Sequence, residues 1–123
     1  MPQPSPALQK VIAEWVTHAK ANDRGLVSAD GSALRIYADM GGSVFIRPDG
    51  SLIGETESRV PEAVDAVWQT VALVVGARTH PELRELLPKR TATAEDCARC
   101  NASGMLHGSV CGRCSGLGWT PAA

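Results

Sequence analysis

The sequence predicts an α+β fold, an antiparallel β-meander flanked by helices and followed by a small C-terminal module built around four cysteines. Three observations predict it. Apolar residues recur at helical spacing on both sides of a central segment, turn-forming residues punctuate that segment at short intervals, and every cysteine falls late in the chain as one of two Cys-x-x-Cys pairs.

Residues 1–5 read as a flexible or extended lead, because Pro2, Pro4 and Pro6 disfavour helix there. Ser5 can then cap a helix whose first residue is Pro6. Leu8, Val11, Ile12, Trp15, Val16 and Ala19 give that helix one apolar face, and it is expected to stop near Asn22 or Asp23, ahead of Gly25.

Leu26-Val27-Ser28 reads as a short extended piece before the turn Ala29-Asp30-Gly31. Residues 33–38 alternate, with Leu34 and Ile36 on one side and Arg35 and Tyr37 on the other. Asp39-Met40-Gly41-Gly42 turns this strand into Val44-Phe45-Ile46-Arg47, and Pro48-Asp49-Gly50 leads on to Ser51-Leu52-Ile53-Gly54. Turns of this composition at this spacing predict an antiparallel meander of three or four strands.

A second helix is expected over residues 60–79, where Val60, Val64, Val67, Trp68, Val71, Val74 and Val75 recur at helical spacing. Pro61 stands at its start, Glu62 and Asp65 in its first turns and Arg78 in its last. The many valines leave a buried strand near Val71–Val75 as an alternative. Pro81 can open a short helix through Leu83, Leu86 and Leu87, and Pro88 ends it. The expected organisation is an α+β domain over 6–88, a linker over 89–96, the cysteine module over 97–119 and a tail over 120–123.

The 123 residues suffice for one compact domain and a small appended module, and 44% hydrophobic with 20% charged residues is an ordinary globular balance. The formal net charge of -1 supplies no global basic excess for nucleic acid or anionic lipid. No stretch approaches the roughly 20 apolar residues of a membrane span, and the first residues lack the basic start and apolar run of a signal peptide. The expected location is the cytoplasm, where paired cysteines are more often metal ligands than disulfides.

Cys97-Ala-Arg-Cys100 and Cys111-Gly-Arg-Cys114 can each present two sulfurs to one ion, and the residues between them can loop to bring the pairs face to face. The expected occupant is one structural zinc ion held by Cys97, Cys100, Cys111 and Cys114, with all ligands sulfur and no open position for catalysis. The segment around them is rich in glycine and poor in apolar bulk. Zinc, worth roughly 10–16 kcal/mol in small peptides, would supply the folding energy that its core lacks. Iron in a rubredoxin-like site shares the ligand pattern. Disulfides or a redox-active dithiol are further alternatives, although a redox pair favours a helix N-terminus beside a strand, and these pairs sit among glycines.

Cys111-Gly-Arg-Cys114-Ser-Gly116-Leu-Gly118 resembles the Cys-x-x-Cys-x-Gly-x-Gly repeat of the DnaJ-type cysteine-rich zinc finger. Cys97-Ala-Arg-Cys100-Asn-Ala102-Ser-Gly104 is a partial match, with Ala102 where the first glycine belongs. The resemblance covers residues 97–119 and implies two hairpin-like knuckles clasping one zinc, half of the chaperone family's usual unit. His80-Pro81-Glu82 lacks the aspartate of the J-domain tripeptide and reads as a helix break, so the chaperone role is not carried over. Residues 36–54, with Gly41-Gly42 and Pro48-Asp49-Gly50, are similar to strand-turn-strand segments of the SUKH superfamily. That similarity implies a bacterial immunity protein that binds and neutralises a toxin.

Other residues carry weaker expectations. His18, His80 and His107 are not at mutual ligand spacing, and Asp30, Asp39 and Asp49 sit at turns, where aspartate is a common turn former. Trp15 and Trp68 are expected to anchor the core, and Trp119 either to pack over the zinc knuckle or to meet a partner. Lys89, Arg90, Arg99 and Arg113 are offset by the negative charge of a zinc–tetrathiolate cluster, which weakens any pull on phosphate. No phosphate-binding glycine loop or nucleophile elbow is present. The expectation is therefore a non-catalytic zinc-binding interaction or adaptor protein with another protein as partner, bacterial immunity or regulation being its most specific form. A nucleic-acid-associated zinc protein and a thiol-disulfide oxidoreductase are the alternatives.

Overall fold

The computed structural model of the chain describes residues 3–39 and 42–121. Helix α1 spans Pro6–Asn22, and Ser5 caps it, its hydroxyl accepting the Leu8 N–H at 3.2 Å. Leu8, Ile12, Val16 and Ala19 form its buried face. Pro4 and Ser5, expected within a flexible or extended lead, are tied to the fold. The Ser5 N–H and hydroxyl donate to the Glu85 carboxylate at 2.6 and 2.7 Å, and the Gln9 side chain donates to the Pro4 carbonyl at 3.0 Å. These bonds, the amide foremost, hold the Glu85 carboxyl below its usual range.

After α1, a 3-10 turn over Arg24–Leu26 replaces the start of the expected extended piece. The Asp23 carboxylate accepts the Gly25 N–H there, and only Val27 bridges to Leu34. The meander continues the chain as β1 (Leu34–Asp39), β2 (Gly42–Ile46), β3 (Leu52–Glu55) and β4 (Pro61–Ala63), antiparallel in the order β1-β2-β3-β4. Met40 and Gly41, the centre of the expected second turn, lie outside the described residues.

Two further details depart from expectation. The second helix does not begin at Pro61, since Pro61–Ala63 pairs with β3 through Glu55↔Pro61 and Ile53↔Ala63. Helix α2 runs over Ala66–Gly76, started by Asp65, whose carboxylate accepts the Trp68 N–H at 3.0 Å. Proline is tolerated on β4 because that strand is an edge of the sheet.

The second departure is in β1. The register shifts between Arg35 and Tyr37, so Arg35 faces Phe45 while Tyr37 faces Val44. An extra residue in a strand re-aims the side chains beyond it. Tyr37 therefore joins the face of Leu34 and Ile46 rather than that of Arg35, and packs against the main core.

That core lies between one face of the sheet and the helices. Leu34, Ile36, Ile46 and Leu52 meet the α1 face, Ala72, Leu73 and Ala77 of the α2 region, and Leu83 and Leu86 of the 3-10 segment Pro81–Leu86. Trp15 packs at its margin, its ring 4.4 Å from that of His80. Ala33, Phe45 and Ile53 form a smaller cluster, with the Arg35 guanidinium 5.6 Å from the Phe45 ring centroid.

Candidate metal centre

Two small ladders frame the cysteines. Strand β5 (Glu95–Asp96) pairs with β8 (Trp119–Thr120), and β6 (Met105–Leu106) pairs with β7 (Ser109–Val110). Glu95 and Asp96, read as the end of a linker, and Thr120, read as the start of a tail, thus belong to one ladder. His107 and Gly108 connect β6 to β7 with φ of 50° and 81°, the two left-handed residues that a tight hairpin turn requires.

Each Cys-x-x-Cys pair is the first part of a knuckle, and the knuckles repeat at an offset of 14 residues. The Ala102 N–H donates to the Cys97 carbonyl as Gly116 does to Cys111. The Gly104 and Gly118 N–H groups each donate to a sulfur, of Cys100 and Cys114, at 3.3 Å. The knuckles also cross-brace, because the Cys97 N–H donates to the Gly118 carbonyl and the Cys111 N–H to the Gly104 carbonyl, both at 2.9 Å. Contact is close enough that a Cβ on Gly104 would stand 2.5 Å from the Gly116 oxygen, and one on Gly118 2.5 Å from the Ala102 oxygen.

This arrangement converges all four sulfurs to within 4.8 Å of one another, each on a buried cysteine. Cys97 and Cys111 are 3.9 Å apart at sulfur, Cys100 and Cys114 3.8 Å, and no disulfide joins them. A tetrahedron with metal–sulfur bonds of about 2.3 Å has edges of about 3.8 Å, so the donor set fits the ion that its chemistry implies. Cys97, Cys100, Cys111 and Cys114 form a single site for one structural zinc ion. Zinc there supplies folding energy and cross-linking, and no coordination position is left for a substrate.

Burial pushes the Cys114 thiol up to about 11. Burial also acts to raise Cys111, but the amides of Cys114 and Arg113 together with neighbouring thiols outweigh it and lower that group to about 7. Leu106 packs against the cysteine cluster, while Arg99 and Arg113 are exposed.

The remaining sequence candidates do not converge on this centre. Among the described residues, the four cysteines are the one group with metal-ligating potential. His18 lies beside Asn22, His80 against Trp15, and His107 at the exposed hairpin tip. Asp30 and Asp49 each accept hydrogen bonds within their own turns, and the side chain of Asp39 falls outside the described part of the structure. Trp119 is half-buried on β8.

The module sits on α2. A Cβ on Gly116 would stand 2.9 Å from Val74 Cγ1, and the Arg78 guanidinium donates to Met105 Sδ at 2.8 Å. Beside this contact runs a cleft of about 480 Å³ between Val67, Trp68 and Val75 of α2 and Met105 and Val110 of the module. A second cleft of about 310 Å³ continues over the sheet past Glu55, Glu62 and Asp65, and Tyr37 and Trp68 line both. Trp68, expected in the core, is instead 45% exposed, as Val67 is at 59%. The recurrence of Val67, Val71 and Val75 every four residues was a signal for this second apolar stripe. It was hidden because α2 is apolar on nearly every side.

No protein-family model matches the chain, and neither a curated protein nor a solved structure matches it.

Proposed function

We propose that this zinc-binding protein is a non-catalytic interaction or adaptor protein whose zinc holds a recognition surface in shape. The observation that carries the reading is the apolar groove at the junction of α2 and the cysteine module, where Val67 and Trp68 stay exposed while Met105 and Val110 form the opposite wall. Exposed large apolar side chains gathered in one groove are characteristic of surfaces that bind other proteins, and tryptophan is enriched at their energetic centres. Because one wall belongs to the module, the groove keeps its shape only while the zinc centre is intact.

The similarity of residues 36–54 to the SUKH superfamily supports the narrower form of the proposal, a bacterial immunity or regulatory protein that neutralises a partner by binding it. Affinity purification from the native host tests the reading. One protein should be retained by the wild-type chain and by Leu26→Glu, an exposed site away from the groove, and lost from Val67→Glu and Trp68→Glu. Recovery of the same proteins on all four chains would reject it.

A further inference from the structure

A third cavity shares no lining residue with the two clefts beside α2. It measures about 440 Å³ and is lined by Lys20 from the last turn of α1, Arg24 from the 3-10 turn, residues of the 28–31 loop, and Arg59 from the β3–β4 turn. Three separate segments thus deliver three cations to one hollow, on a chain whose formal net charge is -1. Among the described residues, none of the three side chains pairs with a carboxylate or makes a hydrogen bond.

The acidic side chain in the cavity wall is already committed. Asp30 Oδ1 accepts the Ser28 hydroxyl, the Ser32 hydroxyl and the Ser32 N–H at 2.7, 2.7 and 3.0 Å, and Oδ2 faces Arg47 at 4.0 Å. Nearby Glu55 accepts the Ala29 N–H at 2.7 Å. These bonds come from neutral groups and leave Asp30 ionised, so the side chains lining the cavity carry three positive charges against one negative, and the excess is left for something outside the chain.

Two backbone features bear on two of these cations. Arg59 has φ of 60°, a left-handed conformation that hairpin turns usually assign to glycine or asparagine, and its N–H closes the turn on the Thr56 carbonyl at 2.8 Å. A side chain that strains its backbone points to a role for that side chain. Lys20 lies across Gly31, where a Cβ would stand 3.0 Å from Lys20 Cε and 3.3 Å from Nζ, so the absence of a side chain at 31 makes room for the ammonium group.

We infer that this cavity binds the phosphate group of a small phosphorylated molecule. Three cations against the one Asp30 carboxylate suit an anion of more than one charge, and a ligand with a single carboxylate would leave one positive charge uncompensated. The volume falls within the range of small-molecule pockets, roughly 300–1,000 Å³. A nucleic acid would call for a longer basic track than one cavity on a slightly acidic chain.

Titration calorimetry at low ionic strength on the zinc-loaded full chain tests the inference, with inorganic phosphate and pyrophosphate as probes and acetate as a singly charged control. Pyrophosphate should bind at least about tenfold more tightly than acetate, and Lys20→Gln and Arg59→Asn should each weaken it by about tenfold or more. Arg99→Gln, in the cysteine module, should leave it unchanged. Arg59→Asn should melt no lower than wild type, because asparagine tolerates the left-handed backbone, so lost binding is not lost folding. Equal binding of pyrophosphate and acetate, or wild-type affinity in both variants, overturns the proposal. So does a single-stranded oligonucleotide or a phosphoserine peptide that binds over tenfold more tightly than pyrophosphate, since the phosphate would then belong to a macromolecule.

Discussion

The rings of Tyr37 and Trp68 lie 6.3 Å apart at an interplanar angle of 32°, and the pair lines both clefts that flank α2. Tyr37 reaches this place only because the bulge after Arg35 turns it onto the core face. The pair thus joins a local irregularity of β1 to the surface on which the proposed partner would sit.

Since Trp68 is half in solvent, its removal should cost the fold little. Trp68→Ala is expected to lower unfolding free energy by no more than about 1.5 kcal/mol, whereas Leu83→Ala, at a fully buried site, should cost about 2–5 kcal/mol. Urea unfolding of the two variants checks the contrast, and a Trp68→Ala loss as large as that of Leu83→Ala would contradict the exposed placement.

Metal analysis of freshly reduced protein should give one equivalent of zinc. Cys111→Ser is expected to lose it, because removing one of four converging thiolates opens the site. A strong chelator should do the same to the wild type. Amide exchange should then quicken at Cys97 and Cys111, whose N–H groups brace the opposite knuckle, while the amides of α1 stay protected. Retention of a full equivalent by Cys111→Ser would contradict the four-ligand assignment.

Gly104→Ala should weaken zinc binding, because the new methyl group would meet the Gly116 carbonyl oxygen at 2.5 Å and one knuckle would have to withdraw from the other. The reverse change at Ala102, which stands where the second knuckle has Gly116, is Ala102→Gly and should be neutral or stabilising by up to about 1 kcal/mol, because Ala102 is held at φ of 63°. Competition against a chromogenic zinc chelator ranks the three proteins, and Gly104→Ala binding as tightly as wild type would count against the close approach.

Acid should expose the Asp30 turn. In the folded chain this carboxyl is lowered from 3.8 to about 2, chiefly by the Ser32 hydroxyl and amide and then the Ser28 hydroxyl. The unfolded chain therefore takes up the proton first on acidification. The stabilisation is complete well above pH 3.8 and is lost as pH falls towards 2. Because the side chain is 47% exposed, the effect should be modest. Asp30→Asn is expected to show a shallower fall of melting temperature over that window, and an identical slope in both proteins would contradict the assignment.

Much of this could be read from the residues. Ser5-Pro6 marks the start of α1 unambiguously, and the Pro48-Asp49-Gly50 turn sets β2 against β3. The metal ligands were the clearest signal, since two Cys-x-x-Cys pairs so close together leave few geometries. The α2 boundary was not legible, because Pro61 and Glu62 satisfy the rules for a helix start as well as they fit an edge strand, and only pairing with β3 decides. Nor was the facing of Tyr37, because simple alternation carries no trace of a bulge. The groove was hidden for a related reason. Val67 and Trp68 look like core residues until the cysteine module is seen to leave one side of α2 open.

The reciprocal bonds between Cys97 and Gly118 and between Cys111 and Gly104 mean that the first cysteine amide of each knuckle is satisfied by the other knuckle. Each is the template on which the other closes, so both should fold together as the one ion binds. A chain carrying a sound first half and a scrambled second half would be no more folded there than one with both halves scrambled.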